Sequence, residues 1–166
     1  MDARITSLND EDMCAAAMVR RISLKHRLPS LPDLHSAEED EDYWRSFLRD
    51  GDTVLGARME ELLVGVIAYG GGWIHQFYVL PDFQGQGVGR ALLARAAEKM
   101  SEIRLWTFQR NLAARGFYEH HGFRAIELTD GRGNEEQEPD ILYLRQVRSS
   151  PDDPNDPAGR ARHPSK

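Results

Sequence analysis

Two rhythms of apolar residues alternate along the chain and divide it into short segments. Alternation in ARITSL, residues 3–8, predicts a first strand. Asn9 or Asp10 then stands as a helix cap with acidic residues 10 to 12 in the first turn, and the helix runs to about Arg27. Pro29 and Pro32 in LPSLPDL break that pattern, and a second helix follows from Ala37 to Arg49. Gly51-Asp52 turns the chain into TVLGARM, and Glu60-Glu61 separates this from LLVGVIAYG, which predicts an antiparallel hairpin. Gly70-Gly71-Gly72 makes the next turn, before WIHQFYVL, a strand rich in aromatic and branched residues. ALLARAAEKM has helical spacing, IRLWTF reads as a strand, and Asn111 to about His121 reads as a helix closed by Gly122. FRAIEL and ILYLRQV are the last two strands, with the polar stretch TDGRGNEEQEPD expected between them as a mobile loop. The order β-α-α-β-β-β-α-β-α-β-β mixes a hairpin with strand-helix-strand crossovers, so one mixed sheet covered by helices is expected.

From Ser149 the composition changes. SSPDDPNDPAGRARHPSK has four prolines and no large apolar residue, so it cannot offset its ordering entropy by burial. Residues 1–148 are therefore expected to form one domain and residues 149–166 a disordered tail. With 166 residues and 40% hydrophobic content the chain is long enough for a sizeable core but not for two catalytic domains. A formal charge of −6 argues against a nucleic-acid partner, which usually meets clustered Lys and Arg. Cys14 is the single cysteine, which rules out an internal disulfide and a multi-cysteine zinc site and suits a reducing cytoplasm. No apolar run approaches the roughly 18 residues that span a bilayer, so no membrane partner is expected, and MDARITSLNDEDM lacks the order of a signal peptide.

The stretch QGQGVGR, Gln84 to Arg90, lies between a predicted strand and a predicted helix. Backbone N–H groups converge at such a junction and the helix dipole adds about half a positive charge, which makes an anion site. A P-loop would need Lys-Ser or Lys-Thr after its last glycine, where this chain has Arg90-Ala91. A dinucleotide fingerprint would need a third glycine where Arg90 stands. Gln84, Gly87 and Gly89 do match Gln-x-x-Gly-x-Gly, and with Pro81 and the apolar strand ahead of it the loop resembles the acyl-CoA loop of the GCN5-related N-acetyltransferases (GNAT family). The other reading is a glycine turn that serves strand-to-helix packing alone. LWTFQRNLAARGFYEHHGF adds a second match in the right order, with Asn111, Ala114, Tyr118 and Gly122-Phe123 spaced as in that family. The similarity covers about residues 3 to 147, and the diagnostic stretches are 73 to 98 and 104 to 124.

This resemblance implies an α/β (α+β) fold. Its mixed, mostly antiparallel sheet has about seven strands, helices on both faces and a V-shaped splay between two central strands. It also implies acetyl-CoA as co-substrate, no metal, and an amine acceptor that, with no extended peptide-binding signature visible, is expected to be a small molecule; a homodimer is compatible with it. The pyrophosphate would meet backbone N–H groups from Gln84 through Gly85, Gln86, Gly87, Val88, Gly89 and Arg90, with Arg90 adding charge. The open edge of Phe77-Tyr78-Val79 would pair with the pantetheine amides as with another strand. Asn111 suits the far side of that arm, with a helix N-cap as its alternative role.

For the chemistry, an alkylamine of pKa about 10.4 must lose a proton, which costs roughly 4 to 5 kcal/mol at neutral pH. His75 is the expected base, because imidazole titrates near neutrality and the residue is four positions before Val79, on the same face of a regular strand. Some family members that acetylate arylalkylamines carry His at the corresponding place, while others use Glu or water; a packed or solvated strand histidine is the alternative. Tyr118 matches the family's general acid, its alternative being core packing. A phenol is about 1.5 units weaker as an acid than a thiol, so hydrogen bonding to the leaving sulfur matters more than full proton transfer. The acceptor would be set by residues 20 to 45 and 129 to 140. His120 and His121 read as helix-end features, His26 and His35 as surface residues with substrate contact as the alternative, and the acidic run 38 to 42 as a solvated helix start with attraction of a cationic substrate as the alternative. The competing functions are a non-catalytic acyl-CoA-binding module and a protein lysine or N-terminal acetyltransferase.

Overall fold

A computed structural model of the chain describes residues 2–147; the tail expected to be disordered lies outside them. The elements follow the predicted order: β1 (Arg4–Ser7), a 3₁₀ turn (Asp10–Asp12), α1 (Met13–Arg27), α2 (Ala37–Arg49), β2 (Thr53–Met59), β3 (Leu62–Gly70), β4 (Trp73–Val79), a second 3₁₀ turn (Pro81–Phe83), α3 (Val88–Ala97), β5 (Glu102–Phe108), α4 (Leu112–His120), β6 (Arg124–Leu128) and β7 (Asp140–Gln146). Local chemistry sets most of these boundaries. Asn9 and Ser36 each close a capping box, with Asp12 and Glu39 reaching back to the cap N–H. The acidic run 38 to 42 is not wholly solvated, since Asp40 is buried and ion-pairs with Arg21 at 2.6 Å.

The seven strands form one sheet in the order β1-β2-β3-β4-β5-β7-β6. β1 to β4 make an antiparallel meander, β5, β7 and β6 make a second antiparallel set, and the two sets meet where β4 runs parallel to β5. β3 is buried on both faces, which explains its unbroken apolar run. On one face α1 and α2 bring Met13, Ala16, Trp44 and Phe47 against Val54, Val66 and Ala68. On the other, Leu92, Leu93 and Ala96 of α3 and Tyr118 of α4 pack on Val64, Ile67, Ile103, Leu105 and Tyr143.

β4 and β5 share a single register pair, Trp73 with Arg104, fixed by the Arg104 N–H donating to the Gly72 carbonyl at 2.8 Å. Beyond it the strands separate, and the sheet opens into the expected splay. A bulge shapes one wall. Ala68 faces Gln76 while Tyr69 faces Ile74, so His75 is an extra residue in β4.

Candidate active site

The splay opens a cleft of about 1230 Å³ that runs from the glycine loop to the β6–β7 loop. At the loop end the three glycines of QGQGVGR have two different jobs. Gly85 and Gly87 sit at φ +73° and +85°, a left-handed backbone that L side chains adopt at a cost of about 1–2 kcal/mol. Gly89 has ordinary φ, but a Cβ there would come within 3.3 Å of the Phe117 ring, so glycine sets how closely α3 approaches α4.

The N–H of Gln84 is used by the Pro81 carbonyl at 3.2 Å. From Gly85 to Arg90 the backbone N–H groups have no acceptor among the described residues. The run of N–H groups without an acceptor therefore begins at Gly85, one residue after Gln84. Gln84 works through its side chain instead, donating to the Val79 carbonyl at 2.9 Å and accepting from Arg27 of α1. It thus ties the loop to the end of β4 and to α1. The Ser23 hydroxyl also donates to the Val79 carbonyl, at 3.0 Å. Arg27 was not singled out from the sequence. Its signal is a helical stripe, since Arg20, Ser23, Leu24 and Arg27 all line the cleft at spacings of three, four and seven residues along α1.

Midway along the cleft, Phe77 packs edge-on against Phe117, and Tyr118 lies among Phe77, Phe117, Phe123 and Tyr143. Tyr118 is 7% exposed and its hydroxyl has no hydrogen-bond partner among the described residues. Burial pushes the phenol up from its ordinary value, so at neutral pH it is a hydrogen-bond donor. The Asn111 side chain accepts from the Ala114 N–H at 3.2 Å, the N-cap of α4. Its amide NH₂ has no protein partner among the described residues. Arg90 is exposed and without an ion pair among the same residues.

His75 is not on the face expected of it. The bulge sends it to the α2 side, where its ring stacks on Phe47 at 5.4 Å and Nε2 lies 3.4 Å from Asp52 Oδ2. Phe77 and Val79 pack in the opposite layer, with α3 and Tyr118. Strand parity fails because a bulge inserts a residue without changing the sequence rhythm. His75 still lines the cleft, together with its bulge neighbour Gln76.

At the far end the β6–β7 loop, expected to be mobile, is knitted by its own side chains. Asn134 donates to the Glu138 carbonyl and to Asp140, while Thr129 donates to Asp140. The loop also reaches across to the α1–α2 connection. His35 Nε2 pairs with Glu135 at 2.7 Å and its Nδ1 with Glu39 at 3.0 Å, while Arg110 bonds Ser30 at 2.8 Å and Glu138 at 2.6 Å. Polar contacts therefore tie the β6–β7 loop and Arg110 to the α1–α2 connection.

Residues 50–125 match the family model described as Acetyltransferase (GNAT) domain. An uncharacterized N-acetyltransferase of Archaeoglobus fulgidus is 33% identical over 103 residues, which cover 52% of this chain and 69% of the relative. The Escherichia coli peptidyl-lysine N-acetyltransferase YjaB is 33% identical over 95 residues, covering 55% of this chain and 65% of the relative. The solution structure of apo YjaB superposes with a TM-score of 0.72 at 23% identity, over 90% of this chain and all of that one. The PaiA N-acetyltransferase of Thermoplasma acidophilum, solved with coenzyme A, gives 0.66 at 21% identity over 89% of this chain and 100% of that one. The splayed sheet, the glycine loop at its mouth and these similarities agree, and the chain belongs to the GCN5-related N-acetyltransferase family of acyltransferases.

Proposed function

We propose that this protein transfers an acetyl group from acetyl-CoA to a primary amine carried by a small molecule, by direct attack of the amine. Acetyl-CoA supplies the thioester carbonyl that the amine attacks. The residues present fit it: unpaired N–H groups from Gly85 to Arg90, with Arg27 and Arg90 nearby, suit a pyrophosphate, and the open edge of β4 suits the amides of the arm. Asn111 keeps its NH₂ free for that arm while its carbonyl oxygen caps α4.

Two side chains take the proton work in this reading. The Tyr118 hydroxyl, unpartnered and kept protonated by burial, donates to the departing sulfur. His75, with Asp52 beside Nε2, accepts a proton from the amine through Nδ1, directly or through water. Developing charge on the carbonyl oxygen is met by a backbone N–H at the end of β4, most naturally that of Val79.

The observation that favours a small acceptor is the bridge from His35 and Ser30 to Glu135, Glu138 and Arg110. Loops tied together in this way would favour a compact amine over an extended chain. The opposing observation is the name of YjaB, which makes a protein lysine the second reading. Thiol release from acetyl-CoA, measured across small primary amines and lysine-containing peptides, separates them. Turnover with small amines alone supports the proposal, turnover with peptides alone transfers it to the second reading, and binding without any turnover would leave an acyl-CoA-binding module.

A further inference from the structure

Of the cations that line the cleft, Arg20, Arg27 and Arg90 make no ion pair among the described residues, and Arg90 belongs to the glycine loop. Most arginines near the site are engaged: Arg21 with Asp40, Arg110 with Glu138, Arg27 with Gln84. Arg20 lines the cleft, forms no ion pair among the described residues, and has a buried Nε with no acceptor. Arg20 is only partly buried, but a buried N–H left without an acceptor costs free energy that a ligand oxygen would recover.

Arg20 lies seven residues before Arg27 on the same face of α1, about 10 Å further along the axis and away from the glycine loop. It is thus at the acceptor end. Burial raises the Tyr78 and Tyr43 phenols there, and the nearby charge of Arg20 opposes that rise at both. Gln76, the neighbour of His75 at the bulge, belongs to the same group. Gln76 Oε1 is likewise buried with no donor. Glu136 of the β6–β7 loop acts on the same two phenols but makes no ion pair with Arg20. The far wall therefore offers, among the described residues, a cation with no ion pair and a carbonyl oxygen with no donor, beside two phenols.

We propose that the acceptor amine also carries a carboxylate, which Arg20 receives, so that the substrate is a small amino acid rather than a simple amine. The inference rests on the acetyltransferase reading given above and narrows its substrate class. Arg20 would bind the carboxylate through its guanidinium fork with the Tyr78 hydroxyl as a second donor, and Gln76 Oε1 would take a donor of the same molecule. No bond to the reacting carbon depends on Arg20. Its role is to choose and orient.

The test compares matched pairs that differ by one carboxylate: lysine with 1,5-diaminopentane, phenylalanine with phenethylamine, leucine with isopentylamine. Thermal shifts are read for wild type, Arg20→Met and Arg20→Lys, first with CoA alone and then with CoA plus each probe. CoA alone should stabilise all three proteins equally, which checks folding and the family reading separately. At least one amino acid should then raise the wild-type melting temperature further while its decarboxylated partner does not. Arg20→Met should weaken that amino acid about 30-fold or more, with Arg20→Lys in between. Where turnover is measurable, the change should lie in KM. If no acid exceeds its partner in wild type, or the excess survives in Arg20→Met, the proposal is wrong. A carboxylate on the acyl group would use the same cation, so succinyl-CoA is a further arm: an Arg20-dependent preference for succinyl-CoA over acetyl-CoA would also overturn the acceptor assignment.

Discussion

Tyr118 combines a packed ring with a hydroxyl that the proposed reaction would use. Its ring belongs to the core between α4 and the sheet, so the packing reading holds and does not exclude the acid. Tyr118→Phe keeps that packing and removes only the donor. The melting temperature and the Kd for acetyl-CoA should hardly move, while kcat falls about 10²-fold, as for a positioned acid; unchanged turnover would remove Tyr118 from the chemistry. His75 is the harder case. Its spacing was legible, but the bulge that turns it to Phe47 and Asp52 was not, because pairing register depends on the partner strand and leaves no mark in WIHQFYVL. If His75 takes the amine proton, His75→Ala should lose kcat/KM chiefly near neutral pH and recover part of it at high pH, where free amine is abundant. A pH profile like that of the wild type would leave the proton to a water chain.

Elements were easier to read than their connections. Helix caps, glycine turns and apolar rhythm are local, and α2 runs from Ala37 to Arg49 as its pattern predicts. TDGRGNEEQEPD carries no sign of the hydrogen bonds within the β6–β7 loop, because Asn134, Thr129 and Asp140 meet only after the strands have paired. The same long-range origin hid the contacts of His35, which is at the surface as expected and also joins that loop to α2. Hydrogen bonds to Glu135 and then Glu39 raise its proton affinity above the ordinary imidazole value. A group whose pKa is raised by folding stabilises the native state fully below its unfolded pKa, about 6.5, and loses that contribution as pH rises through the folded value. Wild type should therefore melt higher than His35→Ala at pH below 6.5 and converge with it in alkali; a difference that grows with pH would refute the bridge. The glycine loop makes an independent prediction. Gly87→Glu combines a side chain at φ +85° with a negative charge in the cradle, so CoA should no longer raise its melting temperature. Equal stabilisation of wild type and mutant would move the anion site elsewhere.

At the scale of the whole molecule, the sheet is two antiparallel halves joined at one register pair. Ordinary parallel strands would continue their hydrogen bonds past Trp73 and Arg104, and here they stop. The edges beyond that point carry backbone groups with no strand to pair, a state that sheets normally cover or blunt. One core layer, from Leu55 to Tyr143, still runs under both halves, so the opening is held by packing as well as by sequence-local turns. A ligand with peptide-like amides that filled the gap would complete the sheet and couple the halves. Acetyl-CoA should accordingly slow amide exchange on both walls together, along 75–79 of β4 and 105–108 of β5, as well as along 85–90 of the glycine loop. At a ligand concentration about 100 times Kd the mass-action gain is about 2.7 kcal/mol, and the slowest amides should report roughly 100-fold protection. Protection on the glycine loop alone, with both walls unchanged, would mean that the pyrophosphate is held but the arm lies outside the splay. In that case the cleft between β4 and β5, and every role assigned along it, would need another occupant.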